Sequence, residues 1–354
     1  MSKNRKFNEY IIPPGETIKE LLESRNITQL DLSLKTGINK KTINEIINGK
    51  APISISTAQK LEYVFNIPAS FWNNLERNYR ETLERKKDFD SILEEEKYLE
   101  KIPYLEMSKR GWDFITKTRD SFEKVKNLRK FFSVASLNFD TDLKRKMAFR
   151  KSTNNNFSFE SLYCWIRYGE IQANKEDCEK FDLEKLKLYV PEIKKLANKS
   201  FLEQYDKIKK ILNKCGIVLI FEPHLPNTYI NGVTYKLNGE KGIIMISDRG
   251  KKDDILWFTL FHEIGHLLKH GKKEIFIDME NGENSLIETE ADNFAKNSLI
   301  PCAEYQTFKK SLINEKNIIE FSKKINVTPG IVVGRLQKDG IIGWNQFNNL
   351  IERI

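Results

Sequence analysis

Cysteine and histidine are scarce in this chain, and long apolar runs are missing altogether. The cysteines Cys164, Cys178, Cys215 and Cys302 stand far apart with no CxxC pair, which argues against a thiolate metal site or a disulfide framework. No stretch of eighteen apolar residues occurs, so no membrane-spanning helix is expected. The start, Met1 to Lys6, is polar and basic with no apolar signal core behind it. These absences predict a cytoplasmic protein with no membrane partner. What is present is a globular composition, 40% hydrophobic and 31% charged, over 354 residues, enough for two or three domains. The net charge of +9 is compatible with a nucleic-acid partner, although a lysine-rich coding bias gives the same excess.

The few histidines are not scattered. Three of the four, His262, His266 and His270, fall within nine residues, and the first two frame His262-Glu263-Ile264-Gly265-His266 inside an apolar segment. On a helix, four-residue spacing stacks both imidazoles on one face, where they can grip one metal ion, and the geometry suits Zn2+. Glu263 then lies beside the open coordination position, where a carboxylate can take a proton from activated water and pass it to a leaving amine. His270 is refused as a third ligand, because on an unbroken helix it lies about 12 Å further along the axis than His262, against bonds near 2 Å. It reads as a helix C-terminal residue. The better source is the amphipathic stretch Glu288-Thr289-Glu290-Ala291-Asp292. There Glu288 and Asp292, one turn apart, offer one acid to the metal and another to hold a histidine through its second ring nitrogen, with Glu290 as second choice of ligand.

A second signal lies near the start. Ile18, Leu21 and Leu22 have helical spacing, Thr28-Gln29-Leu30-Asp31 is a capping box, and Gly37 supplies a turn. Asn39 then caps Lys40 to Ile47, closed by Asn48-Gly49, so two short helices surround a glycine turn. In a helix-turn-helix the second of these enters the major groove. Lys40, Lys41 and Asn44 are donors suited to base edges, Thr42 can touch a phosphate or methyl group, Asn39 opens the helix, and Gln29 is placed to hold a backbone phosphate.

Between these signals, residues 76–100 read as a solvated helix suited to dimer formation, and Lys151 to Asn156 as a loop. Trp165 and Tyr168 read as core. Ile217 to Phe221 and Gly242 to Ser247 read as strands, and Thr228 to Leu237 as a hairpin around Asn231-Gly232. Gly242 to Ser247 is the candidate edge strand for an extended peptide. His224, in a loop, is a candidate to line the cleft. Beyond Pro301 the helices resume as a cover, with Arg335 a weaker DNA candidate.

Two resemblances join these readings. "WFTLFHEIGHLL" with "ETEADNFAKNSLIP" resembles the ImmA/IrrE family of zinc-dependent, gluzincin-like metallo-endopeptidases over residues 200–305, with Lys296-Asn297-Ser298 where small apolar residues are usual. That resemblance implies His262, His266 and Glu288 as ligands and Glu263 as the catalytic acid. "TQLDLSLKTGINKKTINEIINGKAPIS" with the Ile67-Pro68-Ala69-Ser70-Phe71-Trp72 ending resembles the XRE-type domain of HigA-like antitoxins over residues 14–80. The expected architecture is mainly α with a small β-sheet, an α+β fold. It divides into a helix-turn-helix domain at 1–80, a helical connection at 81–200, a zincin-like peptidase domain at 201–305 and a helical cover at 306–354. The resemblances imply a homodimeric regulator that binds a double-stranded DNA operator and cleaves or controls a repressor or toxin partner in a bacterial stress, mobile-element or toxin–antitoxin system. The alternative is an antitoxin and autorepressor whose zinc domain is a sensor or scaffold without proteolysis.

Overall fold

The computed structural model describes residues 5–137, 156–237, 240–270, 275–279 and 286–354. Apart from Asn156, the loop expected at Lys151 to Asn156 lies outside them, as do Gly271 and most of Met1 to Lys6. The chain divides into two compact units, Met1–Lys97 with Thr118–Lys126, and Tyr98–Lys117 with Asn127–Ile354. No helix among the described residues is long and apolar enough to cross a membrane.

The first unit is built from α1 (Pro14–Ser24), α2 (Gln29–Thr36), α3 (Lys40–Ile47), α4 (Ile55–Phe65) and α5 (Ala69–Glu95). Local chemistry sets each boundary. The Asp31 amide donates to Thr28 Oγ1 at 3.1 Å and the Thr28 amide returns to Asp31 Oδ2 at 3.0 Å, a closed capping box. Gly37, at φ 67°, ends α2 in the left-handed conformation, and Asn39 Oδ1 opens α3 by accepting from the Lys41 amide at 2.8 Å. Ile18, Leu32, Ile43, Ile46, Leu61, Phe65 and Trp72 make one buried core. The face of α5 is not simply solvated, since Glu76 is buried, accepting from the Ile53 amide at 3.1 Å and from Arg80 Nε at 2.7 Å.

In the second unit, α6 (Tyr104–Lys109) and the end of α7 (Ser121–Phe132) precede α8 (Phe159–Lys175), α9 (Leu183–Lys195) and α10 (Phe201–Lys214). Then come β1 (Ile217–Phe221), β2 (Ile230–Leu237), β3 (Lys241–Ile246), α11 (Asp253–His270), β4 (Ile275–Met279), α12 (Leu286–Leu299), α13 (Cys302–Phe308), α14 (Glu315–Ile325) and α15 (Pro329–Lys338). The four strands form one sheet in the order β1-β3-β2-β4, with β1 and β3 parallel and the other pairs antiparallel. Side chains alternate between its faces. Ile244 and Ile246 join Leu256, Trp257, Leu260, Phe261 and Ile264 of α11 in the main core. On the opposite face Tyr235 donates from its hydroxyl to the Ile166 carbonyl of α8 at 3.3 Å. An α+β fold, mainly helical with a small sheet, results.

Two strand expectations are corrected. Asn231-Gly232 is not a hairpin turn, because β2 runs unbroken through it with only a register shift between Ile230 and Gly232. A glycine inside a strand marks close approach as often as a turn. Nor is Gly242 to Ser247 an edge. It lies between β1 and β2, so its backbone groups are committed to both neighbours, and the described edges are β1 and β4.

Candidate metal centre and DNA-facing helix

The candidate metal centre is assembled from α11 and α12. From Leu256 to Leu267, α11 is buried on almost every side, and its polar residues His262, Glu263 and His266 are buried with it. Asp253 anchors the helix start by accepting from the Phe201 amide at 2.6 Å, while its own amide donates to the Glu352 carbonyl at 3.0 Å. Gly265 explains how α12 comes near enough to complete the site. A Cβ there would lie 3.1 Å from Ala291 Cα and 3.2 Å from the Phe294 ring, so glycine facing alanine lets the two backbones meet.

That approach delivers Glu288 to the histidines. His262 Nε2 and His266 Nε2 are 2.9 Å apart, and Glu288 Oε2 is 3.2 Å from the first and 3.3 Å from the second. His262 Nδ1 lies 3.0 Å from Asp292 Oδ1, and this carboxylate partner orients the ring so that Nε2 faces His266 and Glu288. Burial works to raise the Glu288 carboxyl, but the hydrogen bonds and charge of the two imidazoles prevail and hold it well below the ordinary carboxylate range. Asp292 follows the same pattern, with burial overcome by His262 and by the cations Lys296 and Lys338. A tetrahedral ion with bonds of about 2.0–2.2 Å separates its ligand atoms by about 3.4 Å. The observed spacings come close to that, from two imidazole nitrogens and a carboxylate oxygen, a donor set suited to zinc. The residues present therefore fit a metal.

Glu263, next to His262 on α11, is fully buried against β2. A Cβ on Gly232 would lie 2.5 Å from Glu263 Oε1 and 2.7 Å from Thr259 Cγ2, so the absent side chain leaves the carboxylate its room. Glu290 is exposed on α12, and the side chain of His270 lies outside the described residues. His224 follows β1 and is pinned by Asp248, whose Oδ1 lies 2.7 Å from His224 Nδ1 and 3.0 Å from the His224 amide. Trp165 is fully buried, donating to the Glu222 carbonyl at 3.0 Å, and Arg335 is held by Asp339 Oδ2 at 2.8 Å. Gly265, Gly232 and Ala291 were missed as site residues. A signal existed, since a glycine in a helix interior costs about 1 kcal/mol against alanine and so implies a packing reason.

In the first unit, the candidate DNA contacts divide. Lys40 and Lys41 are exposed at the start of α3, and Thr42 is half-buried. Asn39 is spent as the cap. Asn44 Oδ1 accepts from Asn48 Nδ2 at 3.1 Å, and Asn44 lines a groove together with Gln29 and with Glu16, Lys19 and Glu23 of α1.

Comparison with known proteins addresses both units. Residues 18–72 match the helix-turn-helix family, and residues 213–337 match the IrrE N-terminal-like domain family. Among solved structures, one similar chain is an addiction module antidote protein of a HigA family from Coxiella burnetii. It is 28% identical over 25% of this chain and 96% of its own, with a TM-score of 0.23. No curated protein matches.

Proposed function

From a chain that joins an XRE-type helix-turn-helix DNA-binding domain to an IrrE/ImmA-like domain of the metallopeptidase type, we propose a transcriptional regulator that is also a zinc-dependent endopeptidase. Its substrate is a regulatory protein, a repressor or toxin partner, of a stress, mobile-element or toxin–antitoxin system. The observation that carries the catalytic half is the convergence of His262, His266 and Glu288, with ligand atoms all within 4.8 Å, beside the buried Glu263.

Zinc held by those three side chains would supply Lewis acidity toward water and the scissile carbonyl. The chain's own residues do the rest. Asp292 orients His262 and keeps its Nε2 free of a proton. Glu263 takes the proton from the attacking water and delivers it to the leaving amine, and its buried setting favours a proton carrier whose charge is not quenched by solvent. Gly232 leaves that carboxylate room to move between the two tasks. Lys40 and Lys41 bring the protein to an operator through phosphate and base-edge contacts, with a homodimer matching a two-fold operator.

The test compares wild-type and Glu263→Gln protein expressed in the native cell, with new protein N-termini mapped by mass spectrometry. Glu263→Gln should retain metal and fold while cleavage falls by about two to four orders of magnitude. Cleavage that persists in this variant contradicts the assigned role. Operator repression that survives with no cleavage by either protein replaces the peptidase with the scaffold reading.

A further inference from the structure

We propose that Glu45 is a specificity-determining residue of the DNA-facing helix, accepting a hydrogen bond from the amino group of a cytosine in the major groove with Lys41 beside it. The inference rests on the DNA-binding reading above. On α3 the buried residues are Ile43, Ile46 and Ile47. At about 100° per residue, the line opposite that stripe runs between Lys41 and Glu45. Their side chains are 83% and 39% exposed, with Nζ and Oε1 3.9 Å apart. Of the other polar candidates, Asn39 is engaged by the Lys41 amide and Asn44 Oδ1 by Asn48, while Lys40 and Thr42 lie away from that line.

The pair is poorly placed to serve the helix itself. Lysine preceding glutamate by four residues is the weaker order, and each charge sits at the end of α3 that the helix dipole disfavours. A carboxylate turned toward a duplex is also repelled by phosphates and by the acceptor edges of guanine and thymine. In the major groove the donors are the amino groups of cytosine and adenine. Adenine sets an N7 acceptor beside its amino group, which repels the second carboxylate oxygen, whereas cytosine does not. Glu45 therefore discriminates for cytosine, and the Lys41 ammonium offers a donor to the O6 or N7 of a neighbouring guanine.

The test is selection of full-length wild-type, Glu45→Gln and Glu45→Ala protein on a pool of random-sequence duplexes, with thermal unfolding run alongside. Wild type should select a half-site with one position held to cytosine by about tenfold or more. Glu45→Ala should lose preference there and nowhere else, and Glu45→Gln should move it to adenine, which glutamine reads through N6 and N7. Identical preferences at every position in wild type and Glu45→Ala overturn the proposal, as does a lost preference for any base other than cytosine. If wild type selects no common sequence, the DNA-binding reading of α3 fails first and this one with it. If Glu45→Ala and Glu45→Gln bind every sequence more tightly by the same factor, the carboxylate acts through charge alone and base reading is refuted.

Discussion

The helices α3 and α11 hold the candidate site residues of the two units on opposite plans. The eight residues of α3 bury three isoleucines and expose Lys40, Lys41 and Asn44, with Glu45 partly exposed. The candidate DNA contacts there occupy a surface that folding leaves alone. The eighteen residues of α11 bury His262, Glu263 and His266 among Leu260, Phe261, Ile264 and Leu267. A buried polar group is costly unless a neighbour satisfies it. The candidate metal site accordingly comes with support that the exposed face of α3 does not need, namely Asp292 on His262, Glu288 across both imidazoles, and glycines at the two close approaches. Substitutions on the exposed face of α3 should thus change binding without changing stability, while substitutions around α11 should change both.

The sharpest break in that comparison is Gly265→Val. Its side chain would press on the Ala291 backbone and the Phe294 ring, so metal binding should be lost and unfolding in urea should show about 1–3 kcal/mol of destabilisation. Lys41→Ala, by contrast, should stay within about 0.5 kcal/mol of wild type. Next in size is Asp292→Asn, which frees His262 from its carboxylate partner. Zinc affinity, read by competition with a chromogenic chelator, should fall about 10–100-fold with the fold intact.

Acid and base should act on Asp254 and Asp31 with opposite signs. Burial pushes the Asp254 carboxyl at the start of α11 up to about 6, and its Oδ1 has no hydrogen-bond partner among the described residues. A folded pKa above the unfolded one gives stability that is complete in acid and is lost as pH rises through about 6. Asp254→Asn should therefore stabilise at pH 8 by on the order of 1–2 kcal/mol and leave pH 4 unchanged, in urea titrations at both values. In α2, the Thr28 hydrogen bonds lower the Asp31 pKa, so its contribution is instead lost on acidification. The smallest effect concerns charge on α3. Lys40→Ala with Lys41→Ala should flatten the salt dependence of operator binding, log K against log salt, by about 2. An unchanged slope would remove both lysines from the interface.

Legibility in the sequence followed the same division. His262, His266 and Glu288 come from two helices, yet their convergence was legible because histidines four apart and an acid one turn from Asp292 have few other uses in a buried segment. The capping box at Thr28 and the stop at Gly37 were readable because both are local. Strand order was not. β3 pairs with β1 across parallel strands, and nothing within Gly242 to Ser247 records that second neighbour. Asn231-Gly232 has the composition of a hairpin turn, while the need for Gly232 arises from Glu263, thirty-one residues downstream. On α3 the sequence records residue type but not how the side chains pair, so neither the Asn44–Asn48 contact nor the Lys41–Glu45 pair was legible in it.

The most direct measurement is the metal content, by inductively coupled plasma mass spectrometry, of purified full-length wild-type and Glu288→Gln protein. The account predicts about one zinc ion per wild-type chain, and loss of most of it in Glu288→Gln while the helical circular dichroism signal is kept. A folded wild-type protein that takes up no zinc, or a Glu288→Gln variant that holds it as tightly, would contradict the account.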